Sequence, residues 1–526
     1  MNSGAPAMLR LVLRRDRFLM PVWLLIFVLV AAGSASATEG LYPTVASRVA
    51  AAETANATPA LLALYGRIYD PASLGGLAML KLTVLGAVFI GVLMSLTVLR
   101  HTRGEEESGR LELMRAGVLG RRVPLAAVLG EAYLASVALG VLTALGLMSA
   151  GLGTAGSWAF GLSWACAGVV FASVAAVAAQ LTESTRAATG LAMAVLAVSF
   201  VLRAVGDMGF SWLSWISPIG WSQQIRPFGG ERWWVALIPL VFAVLAVGVA
   251  VTLLDRRDVG AGTIRRRPGP AAAGRSLRGP VALAWRLQRG QLLAWLLGFG
   301  LLGLVAGSIA NDLGSLLDSP QAKDLITTMG GVDNLTDAFL STELGIAAVL
   351  AAAYGIQATL RLRSEETAQR VEPVLATSVT RTRWIGSHLL IALGGSTALM
   401  LAVGLGLGVA RGAGSGNPGA TVVDLLGAAL VRLPAVWVLT GLAAGLFGLL
   451  PRAAALAWGA LVAFLVLGEF GAVLGLPRAV VGISPFAHVP ALPGGTMTWT
   501  ATVVLTLFAV ALTAAGIGGF RRRDVG

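Results

Sequence analysis

Cysteine, lysine and histidine are almost missing from this chain. Its 526 residues hold one cysteine, Cys166, three histidines, His101, His388 and His488, and lysine only at positions 81 and 323. A lone cysteine excludes a disulfide framework and a cysteine-held metal centre. The histidines are dispersed, with no metal-ligand spacing and no nucleophile–base grouping, so neither a metal site nor a catalytic site is expected. Neither lysine follows a glycine, so no G-x-x-x-x-G-K-[ST] loop exists to cradle phosphate. The chain is therefore not expected to be an enzyme or to bind a cofactor of its own. Charge is thin as well. Only 12% of residues are charged while 56% are hydrophobic, and mean hydropathy is +0.80.

Such a composition belongs to membrane proteins, because repeated long apolar runs with few charges read as spans. Runs of about 20 apolar residues fall near 18–36, 75–99, 125–148, 157–181, 188–206 and 232–254, and again near 290–310, 341–361, 384–409, 421–450, 452–474 and 498–519. The expected fold is an all-α polytopic membrane protein with twelve transmembrane helices. A break is expected in 421–450 around Pro434. The first run, behind Arg14, Arg15 and Arg17 and ahead of Ser34-Ala35-Ser36-Ala37, resembles a signal peptide. An internal repeat copies it in mid-chain, so it is read as a retained span. The net charge of +13 would suit nucleic acid, but the arginines lie in short pieces between apolar runs, so no nucleic-acid partner is expected.

Alternate loops carry those arginines: Arg10–Arg17, Arg100–Arg122, Arg186, Arg256–Arg289, Arg361–Arg383, Arg452 and Arg521–Arg523. Arginine-rich loops stay in the cytoplasm, which places both termini there in a bacterial plasma membrane. Two loops on the other side are long, and the Ala-rich one over 37–74 is expected to form helices on the outer surface. The stretch 212–234, rich in Trp, Gly and Pro, is expected to be an outer interfacial or re-entrant segment, with 483–495 as its shorter partner.

In the cytoplasmic loop after the second span stands "RGEEESGRLELMRA", residues 103–116, unusually charged for its surroundings. It recurs as "RSEETAQRVEPVLA" at 363–376, an offset of 260. "RAA" at 186–188 recurs at 452–454, "ISP" at 216–218 recurs at 483–485, and "RRDVG" at 256–260 recurs at 522–526. The chain thus reads as two tandem, pseudo-symmetric six-span halves, 1–260 and 281–526, joined by a Pro/Gly/Arg-rich linker over 261–280. In each copy the favourable i,i+4 pairs Glu106–Arg110 and Glu366–Arg370 support a short helix, with Leu111, Met114 and Val118 as an apolar stripe. A solvated helix that merely ends a span would need no second copy; two matched copies predict a docking surface. Its residues are Arg103, Glu105, Glu106, Arg110, Glu112 and Met114, then Arg363, Glu365, Glu366, Arg370 and Glu372.

Ionisable residues inside spans demand a partner or a function. The "RAA" register sets Arg203 opposite Glu469, each 17 residues beyond Arg186 or Arg452, roughly 25 Å up a helix. An Arg203–Glu469 outer latch between the halves is one reading. Separate snorkelling to the interface is the other, and Asp207 competes for Arg203. Glu131 and Gln180 read as weaker pointers, equally suited to interhelical hydrogen bonds.

The pattern Arg–acidic residues–Gly-x-Leu-Glu-Leu after the second span resembles the coupling helix of type-2 ABC exporter permeases. The fused, Arg- and Gly/Ala-rich architecture is similar to actinobacterial permeases of polyketide antibiotics and other drugs. That resemblance implies an amphipathic elbow helix opening each half, for which 7–17 and 281–291 are suitable, and a substrate path lined by spans 2 and 5 of each half. It also implies two copies of a separate P-loop ATPase holding ATP and Mg²⁺, docked on the cluster helices, and amphiphilic substrates such as antibiotics, drugs or lipids moved outward. The second copy departs from the pattern: Ala368-Gln369 replace Ser108-Gly109 and Pro373 replaces Leu113, so its helix is expected to be shorter or kinked. The alternative is a proton-coupled 6+6 multidrug transporter, which would need membrane-embedded acids.

Overall fold

The computed structural model describes residues 4–524 apart from 111–119, 259, 265–271, 273, 275–276, 317–331, 415 and 471–476. Among the described residues every regular element is helical. The chain divides into two compact units, Met1–Gly269 and Pro270–Gly526.

The first unit opens with α1 (Ala5–Asp16), whose Met8, Val12 and Asp16 are buried while its arginines face outward. Six long helices follow: α2 (Leu19–Leu41), α3 (Leu74–His101), α5 (Val123–Ser149), α6 (Thr154–Leu181), α7 (Thr185–Asp207) and α8 (Leu237–Arg256), with the short α4 (Arg103–Glu107) directly after α3. Each long helix is long and apolar enough to cross a bilayer. Helix α6 lies at the centre, packed against α3, α5, α7 and α8. Of its apolar window 78% is buried, against 22% for α2, which fringes the bundle. Small residues allow the close crossing of α5 and α6: a Cβ on Gly161 would stand 2.1 Å from the Gly140 carbonyl oxygen, the close backbone approach typical of helices packed in lipid.

Between α2 and α3 lie two short helices, Val45–Ala57 and Pro59–Tyr65, matching the helical reading of the 37–74 loop. Residues 212–224 form two more, Trp212–Ile216 and Pro218–Gln224. The second is buried: Ile219 and Trp221 pack with Val84, Phe171 and Leu196 of the long helices. The segment is mixed: Trp221 is packed inside, while Trp212, Trp233 and Trp234 are exposed.

The second unit contains α9 (Pro280–Leu316), α10 (Val332–Thr367), α11 (Arg381–Gly412), α12 (Pro418–Leu430), α13 (Leu433–Leu449), α14 (Leu456–Phe470) and α15 (Trp499–Arg522). Its packing repeats the first unit pair by pair. Helices α2 with α5, α3 with α6 and α6 with α8 correspond to α9 with α11, α10 with α13 and α13 with α15.

Three expectations meet different outcomes. Among the described residues eleven segments are long and apolar enough to span; the eleventh expected run, 452–474, contributes the 15-residue α14, and 471–476, which include its end, lie outside the described residues. The run 421–450 does break, at Val431–Arg432, with Pro434 in the first turn of α13 where a missing N–H costs nothing. The second unit has no separate elbow helix. Residues 281–291 continue without interruption into α9, because no helix-breaking residue follows Pro280 there.

Candidate functional site

The three consecutive glutamates of the first cluster each hold a different element. Glu105 accepts a hydrogen bond from Arg15 of α1 at 2.8 Å. Glu106 accepts from Arg103 at 2.7 Å and, through both oxygens, from Arg257 beyond α8 at 2.7 and 3.0 Å. Glu107 accepts from the backbone N–H and the hydroxyl of Thr185, at 2.9 and 2.7 Å. A carboxylate on those first N–H groups satisfies the orphan donors and the positive end of α7. Arg103 is 1% exposed and also donates to the Ala261 carbonyl at 2.8 Å. Arg257 donates from Nε to Gln180 Oε1 at 2.7 Å, which gives Gln180 its role. Buried charges persist only when paired and hydrogen-bonded, and here nearly every one is.

The second unit builds the same clamp. Glu366 accepts from Arg363 at 3.2 Å and from Arg523 at 2.5 and 3.0 Å. Arg257 and Arg523 are the second arginines of the two "RRDVG" segments, so the repeated motif closes the repeated clamp. Two differences follow from sequence. Thr367 stands where Glu107 stands and bonds its own helix, at the carbonyls of Arg363 and Ser364. Glu365 pairs with Arg361 at 2.6 Å instead of with an elbow helix.

The second copy's 363–367 is the uninterrupted last turn of α10 rather than a separate short helix, and both helix ends leave through the left-handed region at the same register, Gly109 at φ 70° and Gln369 at φ 56°. This turn corrects the expected i,i+4 pairs. Arg110 and Arg370 no longer sit one helical turn beyond Glu106 and Glu366; they approach Glu105 and Glu365 instead, at 3.8 and 3.7 Å. The cluster is therefore two-sided. Arg103, Glu105, Glu106, Glu365 and Glu366 face their own unit, and Arg363 is partly exposed. The outward side consists of Glu107, Ser108 and Arg110, and of Thr367–Arg370 and Glu372. Glu112 and Met114 lie outside the described residues.

At the opposite end of the first bundle, Arg203 is fully buried. It donates to the carbonyls of Leu62, Ala63 and Leu64 at 3.2, 2.9 and 3.2 Å and to Asp207 Oδ2 at 3.2 Å. It thereby covers the last turn of the Pro59–Tyr65 helix, where carbonyls lack partners and a cation is favoured. Asp207 also accepts from Ser214 at 3.1 Å. Nearby, burial and the Asp207 charge push the Tyr69 phenol above its ordinary pKa. Both Nη atoms of Arg203 are thus bonded within its own unit, while its Nε has no hydrogen-bond partner. The Glu469 side chain lies outside the described residues.

Arg432, at the α12–α13 break, was not singled out by the sequence reading. It is 3% exposed and donates to the carbonyls of Ala428, Ser341 and Leu492 at 2.7, 2.9 and 2.9 Å. The rule that flagged Arg203, a charge within an apolar run, applied equally to it. Asp16, His101 and Glu131 form the one group of metal-ligating side chains brought together among the described residues.

Each unit also has an apolar groove between its first two spans. In the first unit it is an open groove of about 620 Å³ walled by Trp23, Phe27, Phe89 and Leu93, with Lys81 toward the start of α3 and Arg100 near its end. Those two are 19 residues apart, roughly 28 Å of helix. In the second unit it encloses about 430 Å³ against Trp295, Phe299 and Leu350. An aromatic pair one turn apart recurs in both walls, Trp23–Phe27 with ring centroids 6.4 Å apart and Trp295–Phe299 at 5.9 Å. These two grooves involve spans 1 and 2, and a third, of about 500 Å³, lies between α5 and α6 beside Trp233.

Comparison with known proteins agrees with this architecture. A family model described as "Multidrug efflux system permease Rv1217c, C-terminal domain" matches residues 277–521. The chain is 45% identical to the multidrug efflux system permease protein Rv1217c of Mycobacterium tuberculosis (strain ATCC 25618 / H37Rv), over 525 residues that cover 99% of this chain and 95% of the relative.

Proposed function

The chain belongs to the Rv1217c family of multidrug efflux permeases, and we propose that it is the membrane subunit of an ATP-driven ABC exporter. A separate P-loop ATPase, in two copies, holds ATP and Mg²⁺ and docks on the outward sides of the two cluster helices in the cytoplasm. Both termini lie on that side of the plasma membrane, as the loop arginines indicate. The observation that carries this reading is the duplicated clamp, Arg103–Glu106–Arg257 and Arg363–Glu366–Arg523.

A short exposed helix joined to its span by a single flexible turn could be pushed without consequence. The clamp ties each cluster helix to the far end of its own unit, and in the first unit also to α1 and α7. Displacement by a docked ATPase is thereby passed to several spans at once. The second helix lacks the Glu107 tie, so the two docking sites act unequally. Amphiphilic substrates, apolar with a polar or anionic end, move along the aromatic-walled grooves. There the large apolar walls supply binding and Lys81 and Arg100 supply orientation.

Affinity purification of the chain from membranes that contain its neighbouring genes tests the partnership. Two copies of a P-loop ATPase per chain are expected in the eluate. Repeated purification with no ATPase, from membranes in which efflux is active, contradicts it.

A further inference from the structure

We propose that Asp16, His101 and Glu131 form a binding site for a divalent transition-metal ion of the zinc kind, one that fastens the first helix to the second and third spans. The three come from different elements. Asp16 is the last residue of α1, His101 the last of α3, and Glu131 lies in α5. They are 2%, 3% and 1% exposed. One ligand atom from each lies within 4.8 Å of the other two.

Their contacts do not close among themselves. Both carboxylate oxygens of Glu131 lack any hydrogen-bond partner. His101 Nε2 lies 2.9 Å from Asp16 Oδ2, an acceptor, and 3.1 Å from Arg100 Nη2, a donor. One ring nitrogen cannot donate to the first while accepting from the second. A cation between the three groups removes the conflict, since the Nε2 lone pair, an Asp16 oxygen and a Glu131 oxygen then all point at it. Two metal–ligand bonds of about 2.0–2.2 Å at the tetrahedral angle leave their donor atoms about 3.4 Å apart, so an ion would spread His101 Nε2 and Asp16 Oδ2 from 2.9 Å by about half an ångström.

Charge leads to the same place. Two buried carboxylates face one guanidinium, that of Arg100, which holds Asp16 Oδ1 and whose side chain is 46% exposed. With both acids ionised, one negative charge is left without compensation where desolvation is costly. A divalent ion neutralises both acids and leaves Arg100 free to turn to solvent. The imidazole sets the class of ion: calcium and magnesium take oxygen ligands, while nitrogen with carboxylate oxygens suits zinc and its neighbours. Nothing in this site depends on how transport is driven.

The test uses the full-length protein in detergent, carrying a tag without histidine and stripped with EDTA, titrated with Zn²⁺ by calorimetry and metal analysis. One Zn²⁺ per chain and a raised melting temperature are expected. Glu131→Gln and His101→Ala should each weaken Zn²⁺ binding by more than about 10-fold. Arg100→Gln, which removes the competing cation from a partly exposed position, should strengthen it. The proposal is overturned if the wild-type chain takes up no Zn²⁺ saturably, or if the three variants bind as the wild type does. Stabilisation by Glu131→Gln without metal binding would also overturn it, assigning the site to a buried proton instead.

Discussion

Glu106 and Arg257 stand 151 residues apart in sequence and share a two-pronged ion pair, with N–O distances of 2.7 and 3.0 Å. Both side chains are 5% exposed, so neither can turn to water when the other is lost. The equivalent pair, Glu366 with Arg523, is more open on the arginine side, at 18%.

Removing the arginine from each pair should therefore have unequal effects. Arg257→Ala leaves a buried carboxylate with only Arg103 and should destabilise the protein by about 3–5 kcal/mol. Arg523→Ala admits water to Glu366 and should cost clearly less. Thermal unfolding of the two variants in the same detergent checks the order. Equal losses would show that burial does not set the strength of the clamps.

The turn after each cluster helix makes a second prediction. Gly109 occupies the left-handed region without penalty, and nothing lies within 4 Å of where a Cβ would be. Gln369 holds the same conformation against its own Cβ, a strain of about 1–2 kcal/mol. Gln369→Gly should raise stability by about 1 kcal/mol and Gly109→Ala should lower it by a similar amount. Opposite signs in the melting temperatures are the readout.

Arg203 makes a third. If it anchors the Pro59–Tyr65 helix, Arg203→Gln should speed hydrogen exchange at residues 59–65 by at least about 10-fold, since three carbonyls lose their donor. A latch to Glu469 predicts something different: Arg203→Glu and Glu469→Arg each abolish efflux, and the double reversal restores it. Absence of rescue together with faster exchange assigns Arg203 to the anchor.

The aromatic groove walls make a fourth. Losing one stacking partner removes about 0.5–1.5 kcal/mol, so Trp23→Ala and Trp295→Ala should each raise the apparent KM for an aromatic drug about 2- to 10-fold. Basal ATP hydrolysis by the complex should stay unchanged. A fall in hydrolysis with no change in KM would place these residues in coupling rather than in substrate contact.

Much of this was legible in sequence because it depends on local properties. Hydropathy located the long helices, and Pro434 announced the break between α12 and α13. The repeated "RGEEES" and "RRDVG" segments announced two related halves. What could not be read was which repeated residues touch. Glu106 has a tempting partner four residues on, Arg110, yet the left-handed turn at Gly109 carries Arg110 off the helix while the fold delivers Arg257. Asp16, His101 and Glu131 stand far apart in sequence, and only the packing of α1 against α5 sets them together. The missing second elbow was equally hidden, because 281–291 has the same mixed composition as 7–17 but no break before its span.

The central claim is that ATP, hydrolysed by a separate subunit, drives outward transport through the clamped helices. Uptake of a fluorescent amphiphile into inside-out vesicles, containing the chain and its ATPase partner, tests this most directly. Uptake should require ATP, persist when an uncoupler collapses the proton gradient, and fall at least about 10-fold in Glu106→Gln/Glu366→Gln vesicles that still retain the ATPase. Uptake that survives ATP depletion and disappears with the gradient would contradict the account.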